Sequence, residues 1–303
     1  TFTPTDTVAY ATVTGGISVL VNKATPTVSA SPAASEIIYG QALWNSSLSG
    51  GTALVAGTFA FKTPATIPNV GTASQEIIFN PTDSSNYNTV TTTTSVTVNK
   101  AMPTVSAAPT SSAITYGQAL SSSTLSGGTA SVAGTFAFTS PSTVLNAGTT
   151  NQSVTFTPTD SDNYTTATTT ASVTVNKATP IVSVAPVASA ITYGQSLSSS
   201  SLSGGNVSVA GSFVFTTPVT IPNAGTANQS VTFLPTDSSN YNTVTTSISV
   251  TVNRATATVT LGSLTATYDG TAKSATATTT PSGLTVNFTY DGSATAPTAA
   301  GTY

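Results

Sequence analysis

Apolar residues along this chain alternate with Ser and Thr in short bursts. Val182 and Val184 flank Ser183, Val207 and Val209 flank Ser208, and Val231 and Phe233 flank Thr232. Ile248, Val250 and Val252 alternate with Ser249 and Thr251, and Phe213 and Phe215 keep the spacing around an apolar Val214. A period of two places alternate side chains on one face of an extended strand, so each burst predicts a strand with one face toward a core. Breakers separate the bursts: Tyr193-Gly194, Gly204-Gly205, Ala210-Gly211, Thr217-Pro218, Asn223-Ala224-Gly225 and Pro235-Thr236-Asp237. No stretch carries a helical period with caps. Six or seven short strands per unit predict an all-β sandwich.

The pattern returns at a fixed interval. Asn-Lys/Arg-Ala recurs at Asn22, Asn99, Asn176 and Asn253, each 77 residues after the last. Tyr39, Tyr116 and Tyr193 open Tyr-Gly-Gln triplets at the same spacing, and Asp6, Asp83, Asp160 and Asp237 keep it too. Three uninterrupted periods, 24–100, 101–177 and 178–254, are therefore expected to be tandem immunoglobulin-like β-sandwich domains arranged as a rod. Residues 1–23 align with the end of a period and are expected to be the last strands of such a domain. Residues 255–303 read as the first strands of a related one.

Tyr-Gly-Gln, then Leu-Ser-Gly-Gly, Phe-x-Phe, Asn-x-Gly, and Asn-Tyr ahead of a last strand ending Val-Asn-Lys-Ala resembles the MBG-type bacterial Ig-like repeats (YGX subtype) over residues 24–254. "ATYDGTAKSATAT" and "VNFTYDGSATAPTAAGTY", after Arg254, resemble a sister subtype built around Tyr-Asp-Gly. The resemblance implies modules of long secreted or surface-anchored bacterial proteins, a stalk or adhesin role, and no catalytic residues.

Placed tail to head, 255–303 and 1–23 read as one whole domain of the sister subtype. Either the sequence is one period of a longer repetitive chain, or separate subunits complete each other by strand donation. The first is favoured because it needs no assembly machinery. Both give a head-to-tail fibre. Neighbouring periods join through Val-Asn-Lys-Ala-Thr/Met-Pro, where Pro26, Pro103 and Pro180 stiffen the junction. Four domains of this strand length would extend about 150 Å. The junction Lys is expected to pack its stem on the neighbouring domain and keep its charge in water.

Composition narrows the chemistry. The chain has no Cys and no His, which removes thiolate nucleophiles, imidazole acid–base catalysis and Cys/His metal sites. Charged residues are only 5% and the net charge is −3, so no basic footprint for nucleic acid exists. No apolar run approaches the ~20 residues of a helical membrane span, and no membrane insertion is expected. Nothing pairs a nucleophile with a base, so an enzyme is not expected and no cofactor is implied. Outward strand positions are Thr and Ser, which do not repel a neighbouring edge. The expected partners are therefore copies of the chain head to tail, with either side-by-side packing of copies or a glycan coat that replaces charge as the solubilising layer. Asn-x-Ser/Thr sequons stand at Asn45, Asn151, Asn163, Asn206, Asn228 and Asn287.

The remaining candidates belong to recurring motifs. "PTDSSNY" fills 81–87 and 235–241, with variants at 158–164 and 4–10. An Asp four residues before a Tyr is similar to an immunoglobulin tyrosine corner, but only 11 residues separate Tyr87 from Asn99, room for one strand. The pairs Asp83/Tyr87, Asp160/Tyr164 and Asp237/Tyr241 are instead expected in the hairpin before the last strand, Asp as an Asx turn and Tyr at one pole of the core. Asp160 and Asp162 form a calcium candidate, outweighed by the turn because calcium needs six to eight oxygens. Tyr39, Tyr116 and Tyr193, beside Gly turns, are expected to plug the core. Trp44, next to Leu43, is expected to pack rather than to stack on sugar. The expected function is a structural extracellular or cell-surface fibre; the alternative is an adhesin binding polysaccharide or protein.

Overall fold

The structure is a computed structural model describing residues 1–303, and it divides into two compact units, Thr1–Val175 and Asn176–Tyr303. The fold is all-β, a tandem of immunoglobulin-like sandwiches, with three short 3-10 turns as its only helical elements.

The first period contains β1 (Val28–Ala30), β2 (Ala33–Ala34), β3 (Ile37–Ile38), β4 (Leu48–Ser49), β5 (Thr52–Ala53), β6 (Gly57–Phe61), β7 (Gly71–Pro81) and β8 (Val90–Asn99). Four of them form one sheet in the order β3-β8-β7-β6. β8-β7 and β7-β6 are antiparallel, whereas β3 runs parallel to β8 with Ile37 opposite Val98. The second layer is two short antiparallel pairs, β1 with β5 and β2 with β4. Ala34 and Leu48 pack from it onto the sheet's core face. Eight strands stand where the alternation predicts six or seven, because Ser31-Pro32 and Gly50-Gly51 each cut a strand into pieces of two or three residues. Gly50 and Gly51 have φ of 69° and 84°, left-handed values that favour glycine.

The long strands carry the core. Along β8 every second residue from Thr94 to Val98 is buried, matching the period of two. Ile37, Leu43, Phe61, Ile77, Val96 and Val98 form one cluster, and the second and third periods repeat it with Ile114 to Val175 and Ile191 to Val252. Thr94 is buried inside the first core because its hydroxyl donates to the Pro32 carbonyl at 2.7 Å; Ala171 and Ile248 occupy that place in the other periods. On the outer face, threonine hydroxyls pair across strands, Thr72 with Thr97 at 2.9 Å and Thr149 with Thr174 at 3.1 Å.

The flanking segments differ from the periods. Residues 1–23 form no strand, only a bridge between Phe2 and Val13, because no sheet lies beside them to supply hydrogen bonds. Residues 255–303 supply one antiparallel pair, Thr258–Gly262 with Thr276–Thr280. No helix is long and apolar enough to cross a membrane.

Candidate functional site

The Pro-Thr-Asp motif begins where β7 ends. Asp83 Oδ1 accepts the Asn86 backbone N–H at 3.2 Å, and Oδ2 accepts the Asn86 side-chain amide at 2.9 Å. The Tyr87 N–H then donates to the Asp83 carbonyl at 3.1 Å. Asp160 with Asn163 and Asp237 with Asn240 repeat the arrangement. The hydrogen bond from the Asn86 side chain, helped by its backbone N–H, holds the Asp83 carboxyl below its ordinary range, and Asn163 does the same for Asp160. Both oxygens of Asp160 are thus spent inside the turn. Asp162 is exposed, and nowhere do three His, Cys, Asp or Glu side chains gather as metal ligands.

What the turn holds is the incoming chain. Ala24 N–H donates to the Asn86 carbonyl at 2.9 Å and its carbonyl accepts from Asn88 N–H at 2.8 Å, a one-residue parallel bridge between Ala24 and Tyr87. Ala101 bridges Tyr164 and Ala178 bridges Tyr241 in the same way. The junction lysine completes the clasp: Lys23 Nζ donates to the Ser84 carbonyl at 2.7 Å, Lys100 to Ser161 at 2.6 Å and Lys177 to Ser238 at 2.7 Å. Each lysine stays exposed, and its ammonium makes this one directed hydrogen bond as well. A backbone carbonyl turned outward by the Asp turn offers that cation a directed acceptor. Pro26, Pro103 and Pro180, two residues beyond each bridge, are buried.

The opposite pole is built by Tyr-Gly-Gln. Gln41 N–H donates to the Ile38 carbonyl at 3.0 Å, while the Gln41 side-chain oxygen accepts from Ile38 N–H at 2.9 Å. Gly40, with φ of 91°, takes the third position of this turn. Tyr39 is left at the tip, its N–H tied to the Asn99 carbonyl at the end of β8. Its ring is half-buried and packs against the core cluster, and it also meets Tyr164 of the second period edge to face, at 5.4 Å between ring centres. Val70 N–H adds a hydrogen bond to Asn163 Oδ1 at 3.3 Å. Tyr116 packs against the second core in the same way, whereas Tyr193 departs from the expectation and is 53% exposed. The tyrosine at one pole and the Asn-Tyr turn at the other are therefore the two halves of one joint.

Trp44 also departs from expectation. It is 65% exposed, because the single 3-10 turn Leu43–Asn45 commits its inward position to Leu43, which is fully buried. A hollow of about 430 Å³ in the third period is lined by uncharged residues around Gly205 and Phe213.

The chain is thus defined as a tandem repeat of immunoglobulin-like domains. Residues 257–303 match the MBG domain family. No curated protein matches the chain in sequence. Among solved structures it is similar to Drosophila N-cadherin EC1-4 (11% identity, 78% of this chain and 76% of that one, TM-score 0.26). The titin I-band fragment I67–I69 (8%, 76% and 99%, 0.29) and Sidekick-1 immunoglobulin domains 1–5 (10%, 78% and 62%, 0.25) are similar at the same level.

Proposed function

We propose that this chain is a non-catalytic segment of a bacterial extracellular or cell-surface fibre, its domains joined head to tail at 24–100, 101–177 and 178–254. The observation that carries the reading is the clasp made three times over by Lys23, Lys100 and Lys177 with the following turn. A joint repeated without variation suits a spacer, whose task is to set distance and direction. Small-angle scattering tests it: a maximum dimension near about 150 Å is expected, and a compact particle sinks the reading. Protease shaving of intact cells tests the location, with loss of the chain expected. Side-by-side packing, or else a glycan coat that prevents it, belongs to the same proposal, because the outer faces carry Thr and Ser without charge repulsion. Concentration-dependent sedimentation of unglycosylated protein tests the packing.

A second reading, an adhesin, is favoured by exposed Trp44 alone. Polysaccharide binding that is lost in Trp44→Ala would support it.

A further inference from the structure

The chain enters and leaves each period along segments that run parallel. In the first period the incoming Ala24 is bridged in parallel to Tyr87, just ahead of β8, and β8 leaves toward Lys100. At the far end of β8, Ile37 and Ile38 pair in parallel with Val98 and Asn99, and Tyr39 N–H donates to the Asn99 carbonyl at 2.8 Å. The third period repeats both contacts, with Ala178 on Tyr241 and Ile191 on Val252. Pulling on both sides of a period therefore drags the incoming segment and the last strand in opposite directions along one axis. Hydrogen bonds that cross between such segments are stretched together, in shear. An antiparallel pair pulled at its open end, as β7 and β8 would be at Gly71 and Val98, parts one rung at a time.

The entry clasp is tied on both sides of its bridge. Asn88 Nδ2 donates to the Lys23 carbonyl and to Thr25 Oγ1, both at 3.3 Å. Asn242 Nδ2 repeats this with the Lys177 carbonyl at 3.3 Å and Thr179 Oγ1 at 3.2 Å. In the second period Thr165 stands in this place, and its hydroxyl reaches only the Ala101 carbonyl, at 3.4 Å. Each last strand runs directly into the next lysine and alanine. Tension in Val90–Asn99 thus passes through Lys100-Ala101 into Ala167–Asn176, and through Lys177-Ala178 into Val244–Asn253. The residues between each alanine and its turn lie outside that path. Behind the clasp, the Ile37–Val98 pairing stands in reserve, with both side chains buried in the core.

We infer that these periods carry tension, their last strands coupled in shear at Ala24, Ala101 and Ala178, and that the second period, lacking the asparagine, opens first. This rests on the fibre reading for the source of the tension and adds what the fibre withstands.

Single-molecule force spectroscopy tests it, because the force at a given pulling speed reads the unfolding barrier. The full chain, held by its termini, should show three openings, each lengthening it by about 200–250 Å. Thr165→Asn should raise the lowest of the three forces toward the other two, a gain that misfolding cannot imitate. Lys23→Met/Lys100→Met/Lys177→Met should lower all three. The chain has no cysteine, so Asn223→Cys and Arg254→Cys, both at exposed positions, provide a second pair of handles. Pulled there, the third period should open at a several-fold lower force, since its long antiparallel pair peels from Gly225 and Val252. Equal forces in the two directions overturn the inference, as does indifference to Thr165→Asn or to the lysine change. Scattering scores the fibre reading separately: an extended chain whose openings are weak in both directions keeps that reading and removes this one.

Discussion

Asp83 and Asp160 each commit a whole carboxylate to one asparagine, and that asparagine's carbonyl holds the incoming alanine. Both carboxyls are held below the ordinary value of 3.8, chiefly by the asparagine side chain. A depressed acid stabilises the folded turn above its unfolded value and loses that contribution as pH falls through the folded one. The clasp is therefore expected to be intact at neutral pH and to loosen only in strong acid. Amide chemical shifts of Asn86 and Asn163, followed against pH, should titrate with midpoints below 3.8; a midpoint at or above that value refutes the turn's role. The aspartate turn was legible in the sequence, since Pro-Thr-Asp and a single strand's length after it left little else. The destination of the lysine was not. Lys23 and Ser84 are 61 residues apart, and no local pattern brings a cation to a particular carbonyl.

Elements that alternate for ten residues announce themselves, as β7 and β8 do. Two-residue strands cannot, because one apolar–polar step has no period to measure. The parallel pairing of β3 with β8 was equally silent, being set by the course of the whole domain. Where the sheet is closest-packed, a glycine decides the fit. A Cβ on Gly134 would stand 2.4 Å from the Phe156 ring and 2.4 Å from the Thr157 carbonyl. Phe156 in turn packs on Phe136 at 4.9 Å between ring centres and is 1% exposed, so neither can yield cheaply. Gly134→Ala is expected to destabilise the second period by about 1–3 kcal/mol, measured by guanidinium unfolding. An exposed cross-strand pair should matter far less. Lys62–Glu76, 3.0 Å apart, stands where Thr139 and Ser153 pair by hydroxyls in the second period. With both side chains in water, Lys62→Thr/Glu76→Ser is expected to change stability by less than about 1 kcal/mol. A larger loss would mean that the ion pair also orders the end of β6.

At the scale of the molecule, stability in a linear array is the sum of each repeat's own stability and the coupling to its neighbours. Between the first and second periods that coupling has identified atoms: the Tyr39–Tyr164 ring contact and the Val70–Asn163 hydrogen bond. Trp44, the one tryptophan, lies in the first period and reports the unfolding of that period alone. Tyr164→Ala, a change in the second period, should therefore lower the denaturation midpoint that Trp44 fluorescence reads in the first. Tyr39→Ala should lower it as well, and the double variant should lose less than the sum of the two. The expected coupling is about 0.5–1.5 kcal/mol, the usual worth of an edge-to-face aromatic pair. If Trp44 is indifferent to Tyr164, the joint transmits no stability and each domain stands alone. A measured coupling would mean that bending the chain at this joint and loosening its domains draw on the same contact.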